Sequence, residues 1–344
     1  MTEPLKVVIL TAGLGTRLRP QTWSKPKPLV GVAGQTSLDH LLNAFKTLPP
    51  GLDVEYVLVI GPHLGEEQIP AFIEEHYPGL RTHFVVQQVM RGQSDAIYQA
   101  RQYLDGRTVI CFSDTLMDTD FSFLTKEKAG GVAWVKHVPD PRRFGVAEIG
   151  QDGWVTHLVE KPQSLDNNCV VVGCYYLREG RDLVAAIEEQ MKRGTSLRGE
   201  YFLVDALNIL LERGLKMRTQ TVSVWLDTGT IEATLETNRY LLEHGCANRT
   251  AAEKQGSTEI VPPVFIHETA VIADSVIGPY TSIGPDCRIS HARVEDSILE
   301  AGVTVEAAAL KGSFIGRHSR VQGRAPGTLP LQLNVGDNSS ILLK

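Results

Sequence analysis

The sequence predicts an α/β domain built on a mostly parallel sheet, followed by a parallel β-helix. Three observations carry this. From residue 5 to about 245, apolar strand-like runs alternate with helix-like segments, as a sheet covered by helices requires. Beyond residue 260, Ile266, Ile272, Ile277, Ile283, Ile289, Val294, Leu299, Val305, Leu310, Ile315 and Val321 recur at five- or six-residue steps, with Gly278, Gly284, Gly302 and Gly316 between them. Inward aliphatic side chains stacking turn upon turn give that spacing. The chain, at 344 residues, also exceeds twice the ~150 residues expected of one domain.

Taken in order, Leu5–Leu10 is a β-branched run that reads as a buried opening strand. Thr36 with Asp39 forms a capping box, starting a helix through Leu48 that Pro49-Pro50-Gly51 stops. Strands are predicted at 54–60, 81–88 and 108–112, with helices near 66–76 and over 93–104, the latter with Ala96, Ile97, Ala100 and Leu104 on one face. Further strands follow at 131–138, 146–149, 155–159 and 170–177. A helix over 181–193 ends at Gly194, another over 202–213 ends at Gly214, a strand spans 216–224, and a last helix spans 231–244. This gives a domain over 1–245, a polar linker over 246–260, and a β-helix of about three coils over 261–344, its tail from Gly323 through Pro326, Gly327 and Pro330 serving as a cap.

Composition narrows the function. Hydrophobic residues make up 42% and charged residues 22%, with 34 basic against 40 acidic residues for a net charge of −6. This is an ordinary globular balance, and it excludes a general nucleic-acid binder. Five scattered cysteines (Cys111, Cys169, Cys174, Cys246, Cys287) show no C-x-x-C pair, and no apolar run approaches ~18 residues. Buried free thiols in the cytoplasm, with no membrane span, are expected.

The chemistry concentrates after the first strand. Gly13 and Gly15 remove side chains where the backbone must turn and approach something closely. Thr16 adds a hydroxyl, Arg17 a planar fork of donors, and Lys27 an ammonium held between Pro26 and Pro28. Together they point to a polyphosphate site. No Gly-x-x-x-x-Gly-Lys-Ser/Thr run occurs, and the third glycine of a dinucleotide fingerprint is replaced by Leu18. Asp114 follows the apolar strand 108–112 at its carboxyl end. Alone it reads as a turn or capping residue; joined to the phosphate motif it reads as a metal-ligating carboxylate.

The string Gly13-x-Gly-Thr-Arg-Leu-x-Pro-x-Thr22 with Pro26-Lys27-Pro28-Leu29 resembles the signature of the sugar-phosphate nucleotidyltransferases. Phe144-Gly145-Val146, Glu160-Lys161-Pro162 and Trp225-Leu226-Asp227-Thr228-Gly229-Thr230 match later motifs of that family, and the C-terminal pattern resembles the hexapeptide repeat of left-handed β-helices. The resemblance implies a Rossmann-like nucleotide-diphospho-sugar transferase domain that joins a nucleoside triphosphate to a hexose 1-phosphate with Mg²⁺ and releases pyrophosphate, dTTP or UTP with glucose 1-phosphate being favoured. It implies Arg17, Lys27, Asp114 and Asp227 as catalytic, the two aspartates as metal ligands, and Leu10, Ala12, Gly13, Gly15 and Thr16 as nucleotide-binding. Gln87 and Gly92 lie where the family reads the base, with Gln88 able to take the place of Gln87; Gly92-Gln93-Ser94-Asp95-Ala96 departs from the common Gly-Thr-Ala-x-Ala and leaves the base open. Gly145, Glu160, Lys161, Tyr175 and Glu200 are implied as sugar-phosphate-binding, with Asp205 either shaping the sugar pocket or facing solvent. A homo-dimer or tetramer is expected. Competing readings are a non-catalytic subunit of the same fold, a GTP/mannose 1-phosphate enzyme, and an added acyltransferase on the β-helix with His267, His291 or His318 as base.

Overall fold

The computed structural model describes residues 4–196, 199–248, 254–255, 257–323 and 329–343. Compactness divides the chain into two units: Met1–Gly13 with Leu41–Trp225, and Leu14–His40 with Leu226–Lys344.

The first unit is a nine-stranded mixed sheet: β1 (Leu5–Leu10), β2 (Val54–Ile60), β3 (Thr82–Val86), β4 (Thr108–Phe112), β5 (Gly131–His137), β6 (Gly145–Ile149), β7 (Val155–Glu160), β8 (Cys169–Leu177) and β9 (Met217–Thr221). The order is β7-β6-β8-β4-β1-β2-β3, and β5 pairs with both β8 and β9. β1 runs parallel to β2 and β4, whereas β8 is antiparallel to β4. Val7, Val8 and Ile9 are wholly enclosed, the two-sided burial that a central parallel strand demands. Ala96, Ile97, Ala100 and Leu104 join Leu203, Ala206 and Leu207 in one core cluster on the sheet.

Helix ends follow local chemistry. The predicted capping box is present at α1 (Ser37–Ala44): Asp39 N donates to Thr36 Oγ1 at 3.1 Å, and Thr36 N donates to Asp39 Oδ2 at 2.8 Å. That helix finishes as a 3₁₀ turn over Phe45–Thr47. α2 (Leu64–His76) follows. α3 (Gln93–Gln99) is shorter than the periodicity predicts because Arg101–Tyr103 tightens to 3₁₀. α4 (Gly180–Arg193) stops at Gly194 in the left-handed conformation (φ 69°), and α5 (Leu203–Glu212) precedes Gly214. The strand predicted over 216–224 is two: β9 ends at Thr221, and a separate strand covers Trp225–Asp227. α6 (Ile231–Leu241) closes in a π-turn over Leu242–Cys246. All five thiols are free, and no described helix is long and apolar enough to cross a membrane.

In the second unit, three sheets of short parallel strands form the β-helix. All eleven aliphatic residues singled out in the sequence are buried. They stack in columns: Ile266, Ile283, Leu299, Ile315 and Val335; Ile272, Ile289, Val305 and Val321; Ile277, Val294 and Leu310. The coil count exceeds the expected three, since the described sheets hold six, four and five strands. Two stretches supply the surplus. Lys254–Gln255 and Glu259–Ile260, within the polar stretch, pair with the next rung. Asn334–Val335 and Ser340–Leu342 of the tail add strands instead of folding over as a cap; Pro326 and Gly327 lie outside the described residues.

Residues 14–40 pack into this same unit. Leu18 and Val30 join Ile231 and Leu235 of α6 and Ile298 and Phe314 of the β-helix in one buried cluster. A hairpin pairs Gly31–Val32 with Gln35–Thr36. Its turn requires glycine at Gly34 (φ 83°), where a Cβ would fall 2.4 Å from the Phe265 ring. Asn238 of α6 ties hairpin to coil, accepting from Ala33 N at 2.9 Å and from Ser282 Oγ at 2.6 Å.

Because Leu310 is fully enclosed in the aliphatic stack, Leu310→Ala should lower the unfolding free energy by about 2–5 kcal/mol, measured by urea titration. Arg320→Ala, which removes only an exposed pair with Glu306, should leave the transition in place.

Candidate active site

The second unit gathers three of the four proposed catalytic groups. Gly15 takes the left-handed conformation (φ 60°, ψ 29°) and opens a 3₁₀ turn over Thr16–Leu18. Its carbonyl accepts from Thr22 Oγ1 at 2.7 Å. A Cβ there would lie 2.9 Å from Thr22 Cγ2 and 3.2 Å from Lys27 Cβ, so the glycine lets the Arg17 turn rest on the stem of Lys27. Pro26 (φ −62°, ψ 146°) feeds the 3₁₀ turn Lys27–Leu29.

The strand Trp225–Asp227 ends at the third group. Asp227 Oδ1 accepts from Gly229 N at 2.7 Å, and its carbonyl accepts from Thr237 Oγ1 at 2.9 Å, which tethers it to α6. Gly229 is the meeting point. A Cβ built on it would stand 2.7 Å from Asp227 Oδ1, 3.4 Å from Arg17 Nη2 and 3.4 Å from Lys27 Nζ. Two cations and a carboxylate thus converge on a spot that only hydrogen occupies. Arg17 and Thr16 are exposed, while Lys27 and Asp227 are half-buried.

The first unit carries the remaining candidates. Ser113 N donates to Leu10 O at 3.3 Å, which joins the carboxyl ends of β1 and β4, and Asp114 is the next residue in the chain. Ala12 is buried, and its carbonyl would stand 2.9 Å from a Cβ on Gly61. Gln87 and Gln88 separate cleanly: Gln88 is exposed, whereas Gln87 is 3% exposed. Gln87 Nε2 donates to Gly92 O at 3.1 Å and to Asp95 Oδ2 at 2.8 Å. Asp95 in turn accepts from Arg91 Nη2 at 2.7 Å. Gly92 (φ 99°) must be glycine, because Tyr201 N and O would each lie 2.6 Å from a Cβ.

A second cluster surrounds Gly145, which pairs with Glu160 across β6 and β7. A Cβ on Gly145 would meet Val171 at 2.9 Å and Glu160 Oε2 at 3.3 Å. Lys161, in left-handed conformation (φ 49°), places Nζ 3.6 Å from Glu160 Oε1 and 4.7 Å above the Phe202 ring. Burial raises the Glu160 carboxyl above its ordinary range; Lys161 opposes this and Asp205 adds to it. Burial likewise raises Asp205. Both acids line a cavity of ≈ 420 Å³ with His157, Phe202 and Asn208. Tyr175 is 2% exposed, and burial, with the nearby Glu160 charge, holds its phenol protonated. Glu200 is exposed at the head of the segment through Tyr201 and Phe202.

Sequence reasoning gave neither Asp95 nor Phe202 a role in the site. A buried acid three residues into a helix beside a glycine was the available signal for the first. On the β-helix the three histidines do not assemble: His267 Nδ1 bonds Thr269 Oγ1 at 3.0 Å, His291 lies 4.0 Å from Asp274, and His318 packs over Gly302. Among the described residues no group of three or more His, Cys, Asp or Glu side chains is gathered to hold a metal ion.

Residues 6–244 match the nucleotidyl transferase family, and residues 260–326 match the GMPPB C-terminal domain family. The chain is 30% identical to a glucose-1-phosphate thymidylyltransferase of Streptomyces antibioticus, covering 98% of this chain and 99% of that protein. It is 28% identical to the low-salt glycan biosynthesis nucleotidyltransferase Agl11 of Haloferax volcanii, covering 98% and 100%. It is 29% identical to the bifunctional protein GlmU of Methanococcus vannielii, covering 92% of this chain and 75% of that one. The crystal structure of a UDP-glucose pyrophosphorylase complexed with UDP-glucose shares the fold, with a TM-score of 0.57 at 18% identity over 70% of this chain and 100% of that chain. The chain therefore belongs to the nucleotidyl transferase family, as an enzyme of the sugar-phosphate type with a C-terminal β-helix.

Proposed function

We propose that the protein transfers a nucleoside monophosphate from dTTP or UTP to glucose 1-phosphate, forming the nucleotide-sugar and pyrophosphate. The observation that carries this reading is the convergence of Arg17, Lys27 and Asp227 on Gly229. The full-length likeness to two Streptomyces glucose-1-phosphate thymidylyltransferases supports the choice of base and sugar. Retention of Arg17, Lys27, Asp114, Lys161 and Asp227 together supports catalysis over a non-catalytic role.

The sugar phosphate needs no general base, since the second pKa of a phosphate monoester lies near ~6 and the nucleophile is already a dianion at neutral pH. The obstacle is repulsion between two polyanions, so the protein contributes charge and alignment. A phosphate oxygen of the sugar 1-phosphate attacks the α-phosphorus, and the bond from that phosphorus to the α,β-bridging oxygen breaks. Lys161 orients the attacking phosphate and Glu160 accepts sugar hydroxyls. Lys27 holds the oxygens around the α-phosphorus, and Arg17 takes the charge that develops on the departing pyrophosphate. Gly13 and Gly15 leave backbone amides open to the phosphates, while Gln87 and Gly92 meet the base. Asp114 and Asp227 would hold Mg²⁺, since they offer hard carboxylate oxygens of the kind it prefers. Magnesium bound there would neutralise charge shared by the phosphates. The same reading has the protein assemble as a homo-dimer or tetramer, with exposed Leu329, Leu331 and Leu342 meeting a second copy; light scattering tests it.

A pyrophosphate-release assay pairing dTTP, UTP, GTP, ATP and CTP with glucose, mannose and N-acetylglucosamine 1-phosphates should give its highest kcat/KM for dTTP or UTP with glucose 1-phosphate, and chelation of divalent ions should stop turnover. A maximum with GTP and mannose 1-phosphate would replace that assignment. Asp227→Ala and Asp114→Ala should each cut kcat by about 10²-fold or more with the circular dichroism spectrum unchanged, and Gly229→Ala should slow turnover by crowding Asp227, Arg17 and Lys27. As pH falls below about 6, protonation of the nucleophile should lower kcat/KM for the sugar phosphate roughly tenfold per pH unit; a flat acidic limb would refute a dianionic nucleophile.

A further inference from the structure

Lys25 lies two residues before Lys27, and its side chain is wholly enclosed. A buried ammonium is costly unless partners surround it. Here Nζ pairs with Glu300 and stands 2.9 Å from Asp337 Oδ1, both from the β-helix. These carboxylates do more than neutralise. Glu300 Oε1 also accepts from Gly31 N at 3.0 Å, so one side chain grips the loop on both sides of Lys27. Asp337 accepts from Ser24 Oγ at 2.7 Å and from Arg317 N at 2.8 Å. Burial would raise its carboxyl, but Ser24 and Lys25 more than reverse this and hold it below the usual range.

The grip extends toward Arg17. Gln21 Nε2 donates to Val335 O and to Asn334 Oδ1, each at 2.9 Å, and to Phe314 O at 3.1 Å. A Cβ on Gly336 would lie 3.0 Å from Pro20 Cβ, so coil and loop are already in contact. Leu18, next to Arg17, is locked against Ile298 and Phe314.

We propose that Lys25, Glu300 and Asp337 are positioning residues that fix Arg17 and Lys27 for the triphosphate, making the β-helix a working part of the nucleotide site. This rests on the reading of Arg17 and Lys27 as phosphate-binding groups. The cluster touches no substrate; it acts by setting where the two cations stand.

Two variants of the full-length protein test it. Glu300→Gln keeps an oxygen for the Gly31 amide and removes the charge that faces Lys25. Because deleting one member of a buried cluster can unfold a protein, the second variant, K25M/E300L/D337L, replaces the whole cluster with apolar side chains, a change that folds often tolerate. Circular dichroism, kcat and KM for both substrates, and calorimetric affinity for inorganic pyrophosphate are measured on each. We expect a native spectrum in at least one variant, with pyrophosphate affinity and kcat lowered about tenfold or more and KM for the sugar phosphate within about twofold of wild type. With both cations removed, Arg17→Ala/Lys27→Ala combined with Glu300→Gln, or with the triple replacement where only that variant folds, should be no worse than Arg17→Ala/Lys27→Ala alone. Folded variants with wild-type affinity and kcat, additive double-mutant losses, or unfolding of both variants overturn the proposal. A wild-type protein that binds pyrophosphate but forms no nucleotide-sugar would instead remove the proposed reaction, and the affinities would still decide the positioning role.

Discussion

The loop from Gly15 to Val30 carries two of the proposed phosphate-binding cations and contains only three short 3₁₀ turns. Nothing in those turns fixes a side chain by itself, since each closes one or two hydrogen bonds. Its conformation is set by what it is buried against: the apolar cluster around Leu18 and Val30, and the ion cluster around Lys25. The aliphatic columns of the β-helix keep Glu300 and Asp337 in place, and α6 keeps Asp227 in place through Thr237. The Arg17, Lys27 and Asp227 part of the site is thus assembled from stretches that are remote in the chain and share one unit.

Electrostatics explains why this arrangement suits its chemistry. Arg17 and Lys27 stand beside a carboxylate that draws them toward Gly229, while Lys25, of the same charge and two residues from Lys27, is neutralised by its own pair of acids. One lysine of the Lys25-Pro26-Lys27 run is sealed in; the other points to Gly229, the proposed phosphate site. In the first unit the pattern differs: Glu160 and Asp205 are both pushed upward by burial around a shared cavity that Arg193 also lines, and Lys161 stands 3.6 Å from Glu160.

Much of this was legible in the sequence where a residue type has a single physical job. Evenly spaced aliphatic residues beyond 260 can bury themselves only by stacking, and a first strand that is apolar but for Lys6 belongs in the centre of a sheet. Other features were not. The extra rungs use strands such as Lys254–Gln255, whose residues carry no aliphatic signal. Gln87 and Gln88 differ by one position, and in extended backbone one position reverses the face. The partnership of Lys25 with Glu300 spans 275 residues, and no local pattern records which distant acid a lysine will meet. The glycines were legible only in part: a Cβ on Gly15, Gly92 or Gly145 would strike a neighbour, whereas Gly13, also expected at a close approach, has nothing within 4 Å.

The ladder of the β-helix has an uneven last step. Ile289, Val305 and Val321 succeed one another at a constant interval, but Val321 next meets Ile341, and Ile315 meets Val335, after a longer stretch of chain. The parallel pairing resumes beyond that longer stretch, and the inward column continues through Val335. Insertions in such corners therefore leave the stack intact, whereas losing or gaining a whole rung between Glu300 and Asp337 would slide one acid away from the lysine they share. The number of rungs in that interval acts as a calibrated spacer, while the length of the corners between them is at liberty to drift.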